Sequence, residues 1–432
     1  MLDIFSSGMM SLWLEMAGVH SSETHSSNQQ TWDSGLSKLI LLDQRDPIAE
    51  AAVQQYLNRL INRGLSTRVQ GVWIQSGPIT LASNVGTTPL PAASLTKVAT
   101  SIAALQQWPA DYQFETVIGI TGPVQGGIVQ GDLVIQGNGD PFFVWEEAFA
   151  LANSLNQLGI VGVAGNLIII DDFAMNYESD PFKAGNFLKQ AFNPQLWPAE
   201  ARYQYTKQFP AGTPQPQVSI AGTVQPAFSA PQFQAIIRHQ SLPLAEILKQ
   251  MNIYSNNLMS EMLAQTVGGA EAVRQKAAEA AGVPVDEIRL INGSGLGHEN
   301  QISPRAAVGM FMALQRKLRG TDLTVADLFP VSGRDLGTLE FRSIPQHSPV
   351  KTGSLFDVSA LAGAIPTKDR GVVWFAIINR GTGLDNLRSH QDWLLQRLVS
   401  QWGSPVVLPT AIQPNIDGRR PSLGDMNRNQ VL

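Results

Sequence analysis

Apolar residues recur at helical intervals in the first clearly patterned stretch of the chain. Over residues 46–63 they form one face of a helix, and Gly64 follows at the position of a C-terminal cap. Residues 71–84 form two short runs rich in β-branched and apolar side chains, which predict a hairpin. A second, mostly buried helix is predicted from about Ser94, because apolar residues return every three or four positions up to Leu105.

The middle of the chain has a different pattern. Short runs punctuated by glycine predict strands between residues 115 and 173, and residues 180–230 are rich in Pro, Gln and aromatic residues, so we interpret this part as mainly β. Helical periodicity then resumes in four stretches, at residues 244–251, 258–267, 270–281 and 305–319. The final third predicts two strands and a closing helix, at residues 358–363, 372–379 and 387–402.

The composition indicates a folded protein and excludes several function classes. Of 432 residues 44% are hydrophobic and 15% charged, which predicts two or three domains with a substantial core. Thirty basic against 35 acidic residues give a net charge of −5, so we expect no nucleic-acid partner. The absence of cysteine excludes disulfides and thiolate chemistry. No apolar run reaches the roughly 18 residues of a spanning helix, so we expect no transmembrane segment.

Several common motifs are missing or incomplete. Gly137-Asn138-Gly139-Asp140 lacks the third glycine of a dinucleotide loop and predicts a tight turn. The six histidines show no metal-ligand spacing, and there is no Gly-x-Ser-x-Gly motif of α/β-hydrolases. We therefore expect neither a metal nor a cofactor.

Ser94-Leu95-Thr96-Lys97 is the first candidate for chemistry. On a helix, a spacing of three residues places the serine and lysine side chains on one face. A lysine can activate a serine when burial or a nearby cation lowers the pKa of the lysine. The apolar residues on both sides of this motif predict such burial. The same spacing recurs at Ser348-Pro349-Val350-Lys351, where the proline argues against a helix.

Two further motifs are weak alone and informative together. Ser255-Asn256-Asn257 interrupts two helical stretches, where a helix cap is the ordinary explanation. Lys351-Thr352-Gly353 precedes a strand-like run and offers a cation, a hydroxyl and a position without a side chain. The order Ser-x-x-Lys, Ser-x-Asn, Lys-Thr-Gly is typical of active-site serine penicillin-recognising enzymes.

The sequence segments around these motifs indicate one family among these enzymes. Segments such as GDLVIQGNGDPFF, INGSGLGHENQISP and VKTGSLFDVSALAG occur in family order. The sequence resembles the low-molecular-mass penicillin-binding proteins of the D-alanyl-D-alanine carboxypeptidase and endopeptidase family with an inserted domain, over roughly residues 40–402. Where that family usually has Asp in the second motif, this chain has Asn256.

The resemblance implies an α+β fold. A β-lactamase/transpeptidase-like domain, with an antiparallel sheet, flanking helices and a helical half, is interrupted by a β-rich domain between the first two motifs. We therefore expect a disordered N-terminal segment at residues 1–35 and a polar tail at residues 406–432. Between them, the catalytic domain takes residues 36–114 and 223–405, and the inserted domain takes residues 115–222.

The resemblance also implies a D-alanyl-D-alanine carboxypeptidase, with or without endopeptidase activity, that acts on peptidoglycan stem peptides and is inhibited by β-lactams. It implies that Ser94 is the nucleophile and Lys97 accepts its proton. Ser255, Asn257 and Lys351 complete the catalytic set: Ser255 relays a proton, Asn257 orients the substrate and Lys351 supplies positive charge. Thr352, Gly353 and Ser354 form the substrate edge, where the two hydroxyls bind the terminal carboxylate and Gly353 leaves room for a substrate strand.

Two alternatives remain open from the sequence. A β-lactamase shares the motifs, although no glutamate motif suited to rapid deacylation is evident. A noncatalytic peptidoglycan-binding protein is the other, since aromatic residues of the insertion are able to stack on glycan or peptide: Phe142, Phe143, Trp145, Trp197, Tyr203 and Tyr205. By resemblance the location is periplasmic or otherwise extracytoplasmic. A secretory signal begins with a basic region, however, and the first basic residue of this sequence is Lys38.

Overall fold

The computed structural model describes residues 42–415 and 422–432, and the predicted N-terminal segment, residues 1–35, lies outside them. The described residues divide into two compact units. Unit 1 holds the described residues through Gln107 and those from Leu248 to the gap. Unit 2 holds Trp108–Ile247 and the described residues that follow the gap.

The helices fall where the apolar periodicity predicts them and also in the middle of the chain. In chain order they are α1 (Pro47–Ile61), α2 (Thr96–Gln107), α3 (Trp145–Gln157), α4 (Pro181–Ala191), α5 (Ala199–Gln208), α6 (Leu244–Tyr254), α7 (Asn257–Thr266), α8 (Gly269–Ala281), α9 (Pro304–Lys317) and α10 (Leu384–Trp402). Within residues 42–415 and 422–432, none of the helices has the length and apolarity needed to cross a bilayer.

Many of the strands are only two residues long. In chain order they are β1 (Leu42–Asp43), β2 (Gln70–Ser76), β3 (Ile79–Asn84), β4 (Leu90–Pro91), β5 (Glu115–Ile120), β6 (Val124–Gln125), β7 (Ile128–Val129), β8 (Leu133–Gln136), β9 (Gly162–Val163), β10 (Leu167–Ile170), β11 (Ser219–Ile220), β12 (Val224–Ala227), β13 (Gln234–Gln240), β14 (Ile288–Arg289), β15 (Gln301–Ile302), β16 (Val350–Leu355), β17 (Val358–Thr367), β18 (Gly371–Arg380) and β19 (Asn429–Val431).

Unit 1 is built on a sheet with the order β1-β3-β2-β18-β17-β16, in which only the β1–β3 pair is parallel. Helix α1 begins because the Asp46 carboxylate accepts from the amides of Ile48 and Ala49, with Pro47 at the first helical position. Helices α1 and α10 share one hydrophobic core with this sheet. The expected antiparallel sheet with flanking helices is confirmed, and the flanking helices are the first and the last of those described.

The remaining helices of unit 1 form the expected helical half. Every side chain of α2 from Thr96 to Leu105 is buried, and α2 contacts α7, α8 and α9. A helix buried on all sides needs neighbours around it, and its polar side chains are buried with the apolar ones. This helix positions the first motif.

Unit 2 contains a mixed sheet, ordered β12-β10-β8-β5-β13-β19, and a small second sheet, β11-β9-β7-β6. The interpretation of residues 180–230 as mainly β was wrong in part, because α4 and α5 lie there and pack with α3 on the sheet. The aromatic residues considered for wall binding mostly fill this core. Phe142, Phe143, Trp145, Trp197 and Tyr205 are buried, whereas Tyr203 is 62% exposed.

The boundaries of unit 2 differ from the predicted insertion of residues 115–222. Strand β13 pairs with β5 on one side and with β19 on the other, so the sheet draws on chain beyond the predicted C-terminal limit. The predicted polar tail also carries structure. The Arg428 guanidinium contacts the buried carboxylate of Glu147, and Asn429 Oδ1 lies 2.7 Å from Nδ1 of His239. Excision at residues 115 and 222 would therefore cut through the sheet.

Candidate active site

Ser94 lies in a strained turn that leads into α2. Ala93–Leu95 form one turn of 3-10 helix, and Ala93 has a φ of +47°, in the left-handed region that non-glycine residues rarely adopt. Ala93 is fully buried, so packing holds this conformation. The turn presents the half-buried Ser94 at the start of a rigid helix.

Lys97 lies one helical turn further on, and its side chain is entirely buried. Its Nζ donates to Ser94 Oγ at 3.0 Å, to Asn257 Oδ1 at 2.7 Å and to the carbonyl of Ser294 at 2.8 Å. The predicted meeting of Ser94 and Lys97 on one helix face is therefore seen in the structure, together with the second motif.

Burial lowers the pKa of Lys97 to about 7, and the Glu261 carboxylate opposes this by raising the pKa. A substantial fraction of the amine is therefore neutral near pH 7, unlike an ordinary lysine. When the amine is neutral, the same 3.0 Å contact allows the Ser94 hydroxyl to donate to Nζ. This is the geometry a general base requires.

The second motif joins α6 to α7. Ser255 has a φ of +53°, and its hydroxyl accepts from Lys351 Nζ at 2.9 Å. Asn256 is the N-cap of α7, and its side chain accepts from the amide of Met259 at 3.0 Å. Asn and Asp are equally good caps, so the departure from the family pattern leaves the local backbone role unchanged.

The third motif lies on β16. Lys351 is fully buried, and its Nζ donates to Ser255 Oγ and, at 2.9 Å, to the carbonyl of Thr352. Burial and the neighbouring Lys97 hold the pKa of Lys351 well below its usual range. The repeated Ser-x-x-Lys is not a helical pair, because Lys351 is in a strand and Ser348 is buried without a hydrogen-bond partner among the described residues.

Gly353 allows the strand and the strained turn to approach closely. A Cβ at this position would lie 2.8 Å from the carbonyl oxygen of Ala92 and 3.0 Å from the amide nitrogen of Ser94. The backbones of the first and third motifs therefore touch only because the residue is glycine. Beyond it, Thr352 is buried and Ser354 is exposed at the strand edge.

Three residues of this site were not predicted from the sequence: Glu261, Ser294 and Arg388. The Glu261 carboxylate accepts from the amides of Gly293 and Ser294, both at 3.0 Å, and so holds the loop whose carbonyl receives Lys97. The position of Glu261, four residues after Asn257 on α7, is a signal that helical spacing offers. Arg388 on α10 donates to Ser354 Oγ at 3.0 Å, and no local pattern indicates that contact.

The side chains at the site are suited to acyl transfer. A hydroxyl lies beside an amine of lowered pKa, a second hydroxyl lies beside a second lysine, and the strand edge carries hydroxyl donors. Within residues 42–415 and 422–432, His, Asp and Glu side chains do not form a group of three able to hold a metal ion.

Comparison with known proteins gives consistent matches along the chain. Residues 53–206 and 204–400 match the model of the D-Ala-D-Ala carboxypeptidase 3 (S13) family. The D-alanyl-D-alanine carboxypeptidase DacB of Haemophilus influenzae is 25% identical over 391 residues, covering 67% of this chain and 80% of that protein.

Similar solved structures agree at the level of the fold. The predatory endopeptidase Bd3459 of Bdellovibrio bacteriovorus, in complex with the immunity protein Bd3460, superposes with a TM-score of 0.67 at 20% identity, covering 84% of this chain and 99% of that one. Its penicillin G-acylated form superposes with a TM-score of 0.66 at 21% identity, covering 81% and 96%.

Proposed function

Because this chain belongs to the D-Ala-D-Ala carboxypeptidase 3 (S13) family, we propose that it hydrolyses the D-Ala-D-Ala end of peptidoglycan stem peptides through an acyl-enzyme formed on Ser94. The chain is a serine-type peptidase by this membership. The observation that carries the residue assignment is the contact of the buried Lys97 Nζ, 3.0 Å from Ser94 Oγ. Mass spectrometry of D-alanine release from a synthetic stem pentapeptide tests the proposal.

The first chemical step joins Ser94 to the penultimate D-alanine. Neutral Lys97 accepts the hydroxyl proton while Ser94 Oγ attacks the carbonyl between the two D-alanines. The amides of Ser94 and Ser354 stabilise the developing oxyanion in this proposal, and the close approach at Gly353 supports it because that approach brings the two segments together.

The second motif then delivers a proton to the leaving amine. The Ser255 hydroxyl, hydrogen-bonded to Lys351, is the relay, and Asn257 orients the substrate amide. The carbonyl oxygen of the Asn257 side chain accepts from Lys97, which fixes the carboxamide with its amino group directed away from the lysine. Water subsequently releases the acyl group and regenerates Ser94.

The proposal covers both carboxypeptidase and endopeptidase activity, because both chemistries break a bond to the same D-alanine carbonyl. The matches include a carboxypeptidase and an endopeptidase. Incubation with uncross-linked and with cross-linked wall fragments, followed by mass spectrometry, separates them. Since these substrates lie outside the cytoplasm, we also propose an extracytoplasmic site of action.

The pH dependence of acylation tests the role of Lys97. The charged side chains that face Lys97 are Glu261 on α7 and Lys351 on β16. Because the base is the neutral amine and its pKa is about 7, the acylation rate constant should fall about tenfold per pH unit below that value. Removing the Glu261 charge lowers the pKa of Lys97, so Glu261→Gln should move this acid limb to lower pH.

The Glu261→Gln variant should also lower the plateau rate about tenfold. The carboxylate of Glu261 accepts from two backbone amides, whereas glutamine has one acceptor oxygen and would direct its NH2 group at the other amide. Acylation by a β-lactam measured from pH 5 to 9 gives both quantities. Glu271→Gln is the matched control, since Glu271 is an exposed residue paired with Arg274 on α8. An acid limb that stays in place or moves to higher pH in Glu261→Gln would contradict the base assignment.

Amidation of the terminal D-alanine tests the substrate edge. The hydroxyls of Thr352 and Ser354 are expected to bind a carboxylate through charge-assisted bonds, which a neutral amide forms only weakly. The amide should therefore lose about 2–4 kcal/mol in kcat/KM relative to the acid. The double variant Thr352→Val, Ser354→Ala should lose most of this preference, whereas equal cleavage of both forms by the wild type argues against a carboxylate site here.

A further inference from the structure

Arg388 lies beside the proposed substrate edge without belonging to any of the three motifs. Helix α10 begins at Leu384, and Arg388 follows in its second turn. Its Nη2 donates to Ser354 Oγ at 3.0 Å, and its Nη1 donates to Asp385 Oδ1 at 3.0 Å. The Arg388 side chain is 36% exposed, so it is accessible to a molecule bound at the strand edge.

Buried contacts hold this part of α10 against the sheet. Gln391, one turn after Arg388, is fully buried, and its Nε2 donates to the carbonyl of Ser359 at 3.0 Å and to Asn379 Oδ1 at 2.8 Å. Ser359 is the residue opposite Ser354 in the β16–β17 pair. The backbone that carries Arg388 is therefore fixed beside Ser354 before any ligand arrives.

The other basic group of this edge is directed inward. Lys351 is buried, and its ammonium group donates to Ser255 and to the carbonyl of Thr352. Burial and Lys97 hold the pKa of Lys351 well below its usual range. A guanidinium stays charged at every accessible pH. Because Lys351 is directed inward, the basic group at the exposed end of the edge is Arg388.

We infer that Arg388 binds the carboxylate of the terminal D-alanine together with Ser354 and Thr352, and that its charge contributes to the preference for a free C-terminus; this inference rests on the proposed function. Because Ser354 Oγ accepts from Arg388, the Ser354 hydroxyl proton stays available for the carboxylate. A guanidinium presents five N–H donors in a planar fork that matches a carboxylate.

The test compares one peptide as its acid and as its amide. In Arg388→Met, kcat/KM for the acid should fall about 10- to 30-fold, while kcat/KM for the amide stays within about twofold, because only the acid uses the charge. Arg388→Lys should recover part of the loss, since it keeps the charge without the fork. Arg397→Met, an exposed arginine on the same helix, is the control and should leave both values unchanged.

The outcomes separate this inference from the proposed function. An unchanged acid-to-amide ratio in Arg388→Met overturns the inference, and so does an equal fall for both peptides, which indicates a purely structural role. If the wild type hydrolyses neither peptide, the proposed function fails. In that case, acylation of Ser94 by benzylpenicillin and by its methyl ester compares a charged with a neutral carboxyl group. If the ratio of the two acylation rates in Arg388→Met equals that of the wild type, the inference is again refuted.

Discussion

Replacement of Ser94 by alanine is expected to abolish covalent labelling by a fluorescent penicillin. The strained lactam presents a carbonyl and a carboxylate in the positions that the dipeptide would occupy, so the reagent reports the same first step. Removing the nucleophile leaves no hydroxyl beside Lys97 Nζ to form the ester. We expect a loss of at least about 10⁴-fold in the acylation rate constant, as for other serine nucleophiles that act as part of a unit.

Ser348→Ala is the matched control for this experiment. It alters the serine of the second Ser-x-x-Lys, which is buried and has no hydrogen-bond partner in the described part of the chain. Its removal should leave labelling at the wild-type level. Labelling that persists in Ser94→Ala, or a peptide adduct on Ser348, would refute the assignment. Rapid loss of the label with release of hydrolysed antibiotic would favour a β-lactamase.

Replacement of Lys97 by arginine is expected to reduce acylation about 10³- to 10⁴-fold although the charge is kept. An arginine side chain does not lose its proton in proteins, so it lacks the neutral state that a general base requires. The site also has no room for a fork of five donors, because the buried Nζ is already surrounded by Ser94, Asn257 and the Ser294 carbonyl. Stopped-flow acylation between pH 6 and 10 measures the effect, and a high pH should not rescue the variant.

The loss has to be separated from the cost of placing an arginine in a buried lysine site. Lys249 provides this control, since it is mostly buried and its Nζ donates to Asp335 and to the carbonyls of Ala326 and Phe329. Lys249→Arg should lose stability while retaining most of the acylation rate. A folded Lys97→Arg protein, with wild-type circular dichroism, that acylates at near-native rate would rule out Lys97 as the base.

The parts of the site that depend on local spacing were predictable from the sequence. Ser94 and Lys97 meet because a helix fixes the distance between positions i and i+3. Ser255 lies in a break that the two flanking apolar patterns define, and Gly353 follows Lys351 in a recognisable strand start. For the same reason the helices and strands with strong periodicity, such as α10 and β18, appear where they were expected.

The remaining parts depend on contacts between distant segments. The Ser294 carbonyl binds Lys97 as a backbone group, and a backbone acceptor leaves no mark in the residue type. Arg388 reaches Ser354 only because α10 packs on the sheet, 34 residues along the chain. The Pro- and Gln-rich composition of residues 180–230 concealed α4 and α5, since tertiary packing overrides weak local propensity.

The pairing of β19 with β13 has a consequence for the order of folding during synthesis. The sheet of unit 2 is otherwise assembled from residues 115–240, but its outer strand arrives only with Asn429–Val431. The Glu147–Arg428 contact spans 281 positions. Because a ribosome releases the chain from the N-terminus, β13 waits with one unpaired edge while the second half of unit 1 is made. Nascent chains should therefore be most prone to aggregation through this edge during this interval, and slower elongation should prolong the exposure.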